Sequence, residues 1–122
     1  MIVFSVVSIE NLPNGYSYAG EVDIGLKPSG KGTEFKPNGH VDYVGLFKNG
    51  LKQGKGTLFY ENGNKAYDGD FNKGLMAGKG TMYYLTGQPL ARGLFKDGNL
   101  EKGQILGING EVLELKNEKT AT

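Results

Sequence analysis

An all-β fold, an elongated single antiparallel meander sheet of stacked β-hairpins, is predicted by three observations: a 24-residue block that repeats, a period-2 alternation inside it, and Asn-Gly pairs between the alternating runs. Tyr43, Gly45, Phe47, Gly50, Gly54, Gly56, Thr57 and Gly63 return as Tyr67, Gly69, Phe71, Gly74, Gly78, Gly80, Thr81 and Gly87. Such a period means small like units that bury their apolar side only by stacking on one another.

Taken in order, the elements begin with an N-terminal cap at 1–17. Its opening, Met1 to Ile9, is apolar apart from Ser5 and Ser8 and is expected to be a strand covering the first sheet edge. It lacks the basic start of a signal peptide and the length of a membrane span. The first repeat, 18–42, matches at Tyr18, Gly20, Val22, Gly25, Gly30, Gly32, Thr33, Phe35 and Gly39, with one extra residue between Gly25 and Gly30. Repeats 43–66 and 67–90 are complete. The unit at 91–110 is degenerate: Gly93, Phe95 and Gly98 persist, Ala91 replaces the tyrosine, and Lys102 and Gln104 fall where two glycines belong. The C-terminal cap and tail, 111–122, follow. Gly107 to Leu115 is expected to close that end as a hairpin around Asn109-Gly110, with fraying from Lys116 on.

Within a unit, Tyr67, Gly69 and Phe71 alternate with Asp68, Asp70 and Asn72, as a half-buried strand requires. The second strand starts after Gly-Lys-Gly, where Thr57 and Phe59 are expected to share a face, as are Thr81 with Tyr83 and Thr33 with Phe35. Asn14-Gly15, Asn38-Gly39, Asn49-Gly50, Asn62-Gly63 and Asn109-Gly110 supply residues that tolerate positive φ, so the connections are short and neighbouring strands antiparallel.

This reading puts Tyr18, Phe35, Tyr43, Phe47, Phe59, Tyr67, Phe71, Tyr83 and Phe95 on one face, nine of the 13 aromatics, as the core. Gly20, Gly45, Gly69 and Gly93 leave gaps there for rings to lie on backbone. The opposite face then runs from Glu34 and Lys36 to Leu58 and Tyr60, then Met82 and Tyr84, with Leu46 and Leu94 on neighbouring strands. A contiguous apolar patch of this kind marks a contact surface, unless the tail strand Val112 to Leu115 folds over it.

The chain has 122 residues, a formal net charge of +1, 21 glycines and no cysteine. That is one domain by length, without disulfides or thiolate chemistry and without the charge that draws a whole molecule to nucleic acid. No Lys or Arg precedes Lys27, so Glu10, Glu21 and Asp23 leave the opening acidic. Asp68, Asp70 and Asn72 imitate the start of a calcium loop, but Lys73 and Lys79 stand where the turn glycine and bidentate glutamate belong. Gly25, Gly30 and Lys31 imitate a phosphate loop, but Gly32 replaces the Ser/Thr and no helix follows. The single histidine, His40, follows a turn and reads as solvent-exposed. No catalytic residue, metal or cofactor is expected.

The pattern Tyr-x-Gly-x-Phe-x-x-Gly-x-x-x-Gly-x-Gly at Tyr43–Gly56 and Tyr67–Gly80 resembles the MORN (membrane occupation and recognition nexus) repeat, over about residues 18–110. The resemblance implies a sheet of hairpins used as a scaffold or dimerisation module, with phospholipid headgroups sometimes credited as ligands. It also implies that a small bacterial stack can be a toxin-neutralising partner.

The leading expectation is a non-enzymatic protein-protein interaction module in the cytoplasm. It would bind a protein or a second copy of itself through Leu58, Tyr60, Met82, Tyr84, Leu46 and Leu94, since aromatic and Met anchors suit interface cores. The alternative is attachment to the periphery of an anionic membrane through Lys31, Lys55 and Lys79, a row spaced roughly 10 Å apart. A third reading is a small inhibitor or immunity-type protein that neutralises a toxin or host enzyme.

Overall fold

The computed structural model describes residues 5–9 and 12–117. Ten strands lie side by side in chain order: β1 (Ser5–Ile9), β2 (Ser17–Val22), β3 (Pro28–Phe35), β4 (Val41–Lys48), β5 (Leu51–Phe59), β6 (Lys65–Asn72), β7 (Leu75–Tyr83), β8 (Pro89–Lys96), β9 (Asn99–Leu106) and β10 (Val112–Lys116). Every neighbouring pair is antiparallel, and no helix occurs among the described residues. The fold is therefore the open meander that the repeat and its turns predict.

The ribbon has two unlike margins. Along one, two-residue turns join β4–β5, β6–β7 and β8–β9, and Asn49-Gly50, Lys73-Gly74 and Asp97-Gly98 all have positive φ, the requirement of a type I′ hairpin. Each turn glycine donates its N–H to the preceding unit: Gly50 to Pro28 O, Gly74 to Lys52 O and Gly98 to Met76 O, all at 2.9 Å. Along the other margin, five-residue loops at 12–16, 36–40, 60–64, 84–88 and 107–111 share one hydrogen-bond pattern, as in Tyr60 N to Asn64 O at 2.8 Å and Gly63 N to Tyr60 O at 3.0 Å.

One sheet face carries the core. Cross-strand pairing aligns Tyr18, Glu34, Tyr43, Leu58, Tyr67, Met82, Ala91 and Ile105 in a row from β2 to β9. Phe47, Phe71 and Phe95 stand two positions behind glycines in the same strands and interleave with the tyrosines. The rings form an unbroken edge-to-face chain, Tyr18–Phe47–Tyr43–Phe71–Tyr67–Phe95, with centroids 5.0–5.3 Å apart. Each such contact contributes about 1 kcal/mol beyond burial.

A one-layer sheet buries these rings by laying them on its own glycines. The Tyr43 ring covers Gly56 of β5 and the Tyr67 ring covers Gly80 of β7, where a Cβ would overlap the phenol. The hydroxyls then donate to backbone carbonyls, Tyr18 to Glu21 O at 2.6 Å, Tyr43 to Leu46 O at 2.9 Å and Tyr67 to Asp70 O at 3.0 Å. Because they are buried, the three phenols are pushed up to about 12.

The expected division of residues between faces needs correction. Phe35, Phe59 and Tyr83 follow Glu34, Leu58 and Met82 in their strands and so point to the opposite side, while Glu34, Leu58 and Met82 join the core face. The cause is the turn. Asn49-Gly50 pairs Lys48 with Leu51, so odd-numbered residues of β4 meet even-numbered residues of β5, and Tyr43 receives Leu58.

The ends also differ from expectation. β10 extends the sheet beside β9, leaving Val112, Leu113 and Leu115 exposed, and does not fold across a face. Lys116 still belongs to β10, so the strand outlasts the expected start of fraying. The opening segment does form an edge strand from Ser5 to Ile9; its first four residues, Glu10, and the tail from 118 lie outside the described residues. In the degenerate unit Gly103, between Lys102 and Gln104, pairs with Gly93 and restores the glycine contact.

Candidate functional site

The face opposite the core carries a shallow furrow that runs across the strands. Its floor is the paired glycine backbone, Gly20, Gly32, Gly45, Gly56, Gly69, Gly80, Gly93 and Gly103; on the core side tyrosines cover the first three pairs, while Gly93 and Gly103 meet only each other's backbone. One wall is the row Ala19, Thr33, Val44, Thr57, Asp68, Thr81, Arg92 and Gln104. The other includes Glu21, Lys31, Leu46, Lys55, Asp70, Lys79, Leu94 and Lys102, two residues further toward the tight turns. It deepens near β2–β4 into a hollow of about 590 Å³ and near β5–β9 into one of about 780 Å³.

Charge along the furrow is ordered. Lys55 Nζ pairs with Asp70 Oδ1 at 2.8 Å, Thr57 Oγ1 donates to Asp68 Oδ1 at 3.1 Å, and the Lys79 N–H reaches Asp70 Oδ2 at 3.2 Å. At the β2–β3 end the Lys31 N–H donates to Glu21 Oε1 at 2.6 Å. Toward β9 Arg92 Nε donates to Gln104 Oε1 at 3.1 Å, and Lys79 and Lys102 flank the exposed Leu94. The wall is thus neutralised in its middle and cationic toward β9.

Beside the furrow, at the loop margin, Val41, Val44, Phe59 and Tyr60 border a further hollow of about 390 Å³. Glu61 on its rim accepts from Lys36 Nζ at 3.0 Å and Asn38 Nδ2 at 2.9 Å, and lies 2.7 Å from His40 Nδ1. Lys36 first, then His40 and Asn38, hold its carboxyl down at about 2. Among the described residues no group of three or more His, Cys, Asp or Glu side chains converges as a metal site would require.

The structure does not bring the six predicted anchors together. Leu46 and Leu94 stand on the furrow wall, in units two repeats apart; Leu58 and Met82 are half-buried against the aromatic core on the other face. Tyr60 and Tyr84 open two of the loops, and their hydroxyls tie each loop to the end of a strand in the following unit, Tyr60 to Tyr83 O of β7 at 2.6 Å and Tyr84 to Leu106 O of β9 at 2.8 Å. Lys31, Lys55 and Lys79 do share the furrow wall, interleaved with Glu21 and Asp70. Val44 and Arg92 carry no signal in the repeat pattern, and Thr57 enters it only as a repeat position, not as a site residue. The signal that finds them is the parity set by a two-residue turn, which overrides the pull of an aromatic at the next position.

A ribbon of like hairpins with one self-covered face and one open face defines a repeat protein of the binding kind. The chain belongs to the MORN repeat family: the MORN repeat profile matches residues 27–41, 43–65 and 67–88. MORN repeats are interaction repeats that engage proteins or membrane lipids. No curated protein matches the chain.

Proposed function

We propose that the chain is a non-enzymatic binding module that receives a protein segment along its furrow face. One observation carries this reading. The furrow crosses β2 to β9 as a continuous backbone-floored trough, and Val44 and Leu94 on its walls are 43% and 41% exposed beside hydrogen-bonding Thr, Lys and Arg side chains. Interfaces combine apolar centres with such polar borders. Leu46 and Leu94 remain candidate anchors, while Tyr60 and Tyr84 act on the rim. Scaffold, dimeriser and inhibitor of a toxin or host enzyme are all uses of that one surface.

The test is affinity capture from the native host with the parent chain and a Leu46→Asp/Leu94→Asp variant, both verified as β-folded by circular dichroism. A protein held by the parent and at least tenfold depleted with the variant is the expected result. A partner retained equally by both would overturn the furrow reading, and Tyr60→Ser/Tyr84→Ser would then show whether the loop rim holds it.

A further inference from the structure

The two ends of the furrow differ in charge. At β2–β4 the hollow is lined by Ala19, Val44 and Leu46 with one charge of each sign, Glu21 and Lys31. At β7–β9 strand pairing sets Lys79, Leu94 and Lys102 in a row along one wall and Thr81, Arg92 and Gln104 along the other. Three cations stand in those two rows, and no carboxylate. Glu101, beside Lys102 in sequence, borders a separate hollow with Lys96 and Lys116.

The nearest acids of the furrow are already engaged. Asp70 accepts from Lys55 Nζ and from the Lys79 N–H, and Asp68 accepts from Thr57 Oγ1 at 3.1 Å and Lys65 Nζ at 3.5 Å. Among the described residues Lys79 and Lys102 form no ion pair. Arg92 uses only Nε, which donates to Gln104 Oε1 at 3.1 Å. That bond orients the guanidinium and leaves its two terminal amino groups for a ligand.

What this end lacks is an anion. Arg92 and Leu94 are two residues apart on β8, so the walls are about 7 Å apart, above the backbone of Gly80 and Gly93. A carboxylate between them is within reach of the guanidinium on one wall and of ammonium groups on the other. A guanidinium fork on a carboxylate is among the stronger charge-assisted pairs.

We propose that the β7–β9 end of the furrow is an acid-recognition subsite, so that the segment the furrow receives is an extended, acidic one with Asp or Glu over Arg92, Lys79 and Lys102. Its aliphatic or aromatic residue lies over Val44 and Leu46. This inference rests on the furrow reading above and supplies the chemistry of the partner. Four strand steps separate β4 from β8, about 19 Å, which an extended chain crosses in about six residues. The gradient along one line selects a polypeptide. Apolar groups and cations hold opposite ends of the furrow, a pattern that a sequence can match residue by residue and that the uniform surface of a bilayer cannot.

The experiment is selection of a displayed random dodecapeptide library on the full chain, followed by fluorescence-anisotropy titration of the selected peptides at low and high salt. The parent should select peptides with two or more Asp or Glu about six residues from an aliphatic or aromatic residue, and their affinity should fall with salt. Arg92→Glu/Lys102→Glu should bind them at least about tenfold more weakly and should select Lys or Arg at the acidic position while keeping the apolar residue. Lys48→Glu/Lys73→Glu, the same change of charge at the tight turns, should bind as the parent does. The substituted side chains are exposed, and thermal unfolding checks that each chain is folded. Selected peptides without acids, or acidic peptides bound equally by the parent and Arg92→Glu/Lys102→Glu, would overturn the proposal. If Leu46→Asp still loses those peptides, the furrow reading stands and the acid subsite alone falls; if Leu46→Asp binds them as the parent does, both fall. An empty selection would also overturn the proposal, and phosphatidylserine vesicles bound by the parent but not by Arg92→Glu/Lys102→Glu would then give this end to a membrane.

Discussion

Where β3 and β5 flank β4, the core face holds Glu34 and Lys52, joined at 3.2 Å, with the ammonium 5.4 Å from the centre of the Tyr43 ring. One repeat on, the equivalent positions are Leu58 and Met76; two repeats on, Met82 and Leu100, all four packed on the aromatic core. The same backbone site is thus filled by an ion pair at one junction and by aliphatic pairs at the next two. Burial raises the Glu34 carboxyl above its ordinary range, Lys52 opposes the shift, and Asp42 adds to it. The difference teaches that the ring ladder and glycine contacts carry the stack, while the flanking pair is interchangeable so long as its two members suit each other.

If that is right, attacking the shared element should cost most. Gly80→Ala leaves backbone angles permissible but drives a Cβ into the Tyr67 ring, so unfolding by urea should show a loss of about 3 kcal/mol. The same substitution at Gly39, where a Cβ would meet nothing within 4 Å, separates crowding from the φ of +90° at that turn.

A second prediction concerns alkali and applies to both regions. Tyr18, Tyr43 and Tyr67 have folded-state values near 12 against an ordinary 10.0, so the native state holds their protons more tightly than the unfolded chain. Stability is then whole below pH 10 and lost as pH rises toward 12. Phenolate absorbance and circular dichroism followed together should show these three phenols ionising with the unfolding transition; ionisation while the sheet persists would count against their burial.

The smallest effect is the most discriminating. Glu34→Leu/Lys52→Met makes the first junction resemble the later ones and should stabilise the protein by about 1–2 kcal/mol at pH 7, because well-packed apolar groups match or exceed a buried ion pair. The sign with pH follows from Glu34. Its raised value means the folded parent gains stability as acid protonates it, in the window above the ordinary 4.5, so the variant's advantage should shrink as pH falls toward 4.5. An advantage unchanged between pH 7 and pH 4.5 would place the gain elsewhere.

Most of the fold was legible because it is local. Repeats of Tyr-x-Gly-x-Phe announce strands by alternation, and Asn-Gly or its equivalents announce turns, so the order β1 to β10 needs no long-range decision. The face of a second-strand residue was harder to read. Phe59 and Tyr83 look like core residues by type, yet turn parity gives the core to Leu58 and Met82, and the apolar patch built on the first assumption dissolves. The lysine row survived as a row, but the carboxylates of Glu21 and Asp70 that interleave it come from strands paired on either side.

By itself the sequence determined a ribbon: its repeat length, its antiparallel order and the positions of its Asn-Gly turns follow from glycine tolerance of positive φ and from residue alternation, both properties of a few adjacent residues. Only tertiary structure decided which side chains share a face and which charges meet. Those depend on pairing register, and a one-residue difference in register moves a side chain from the aromatic ladder to the furrow.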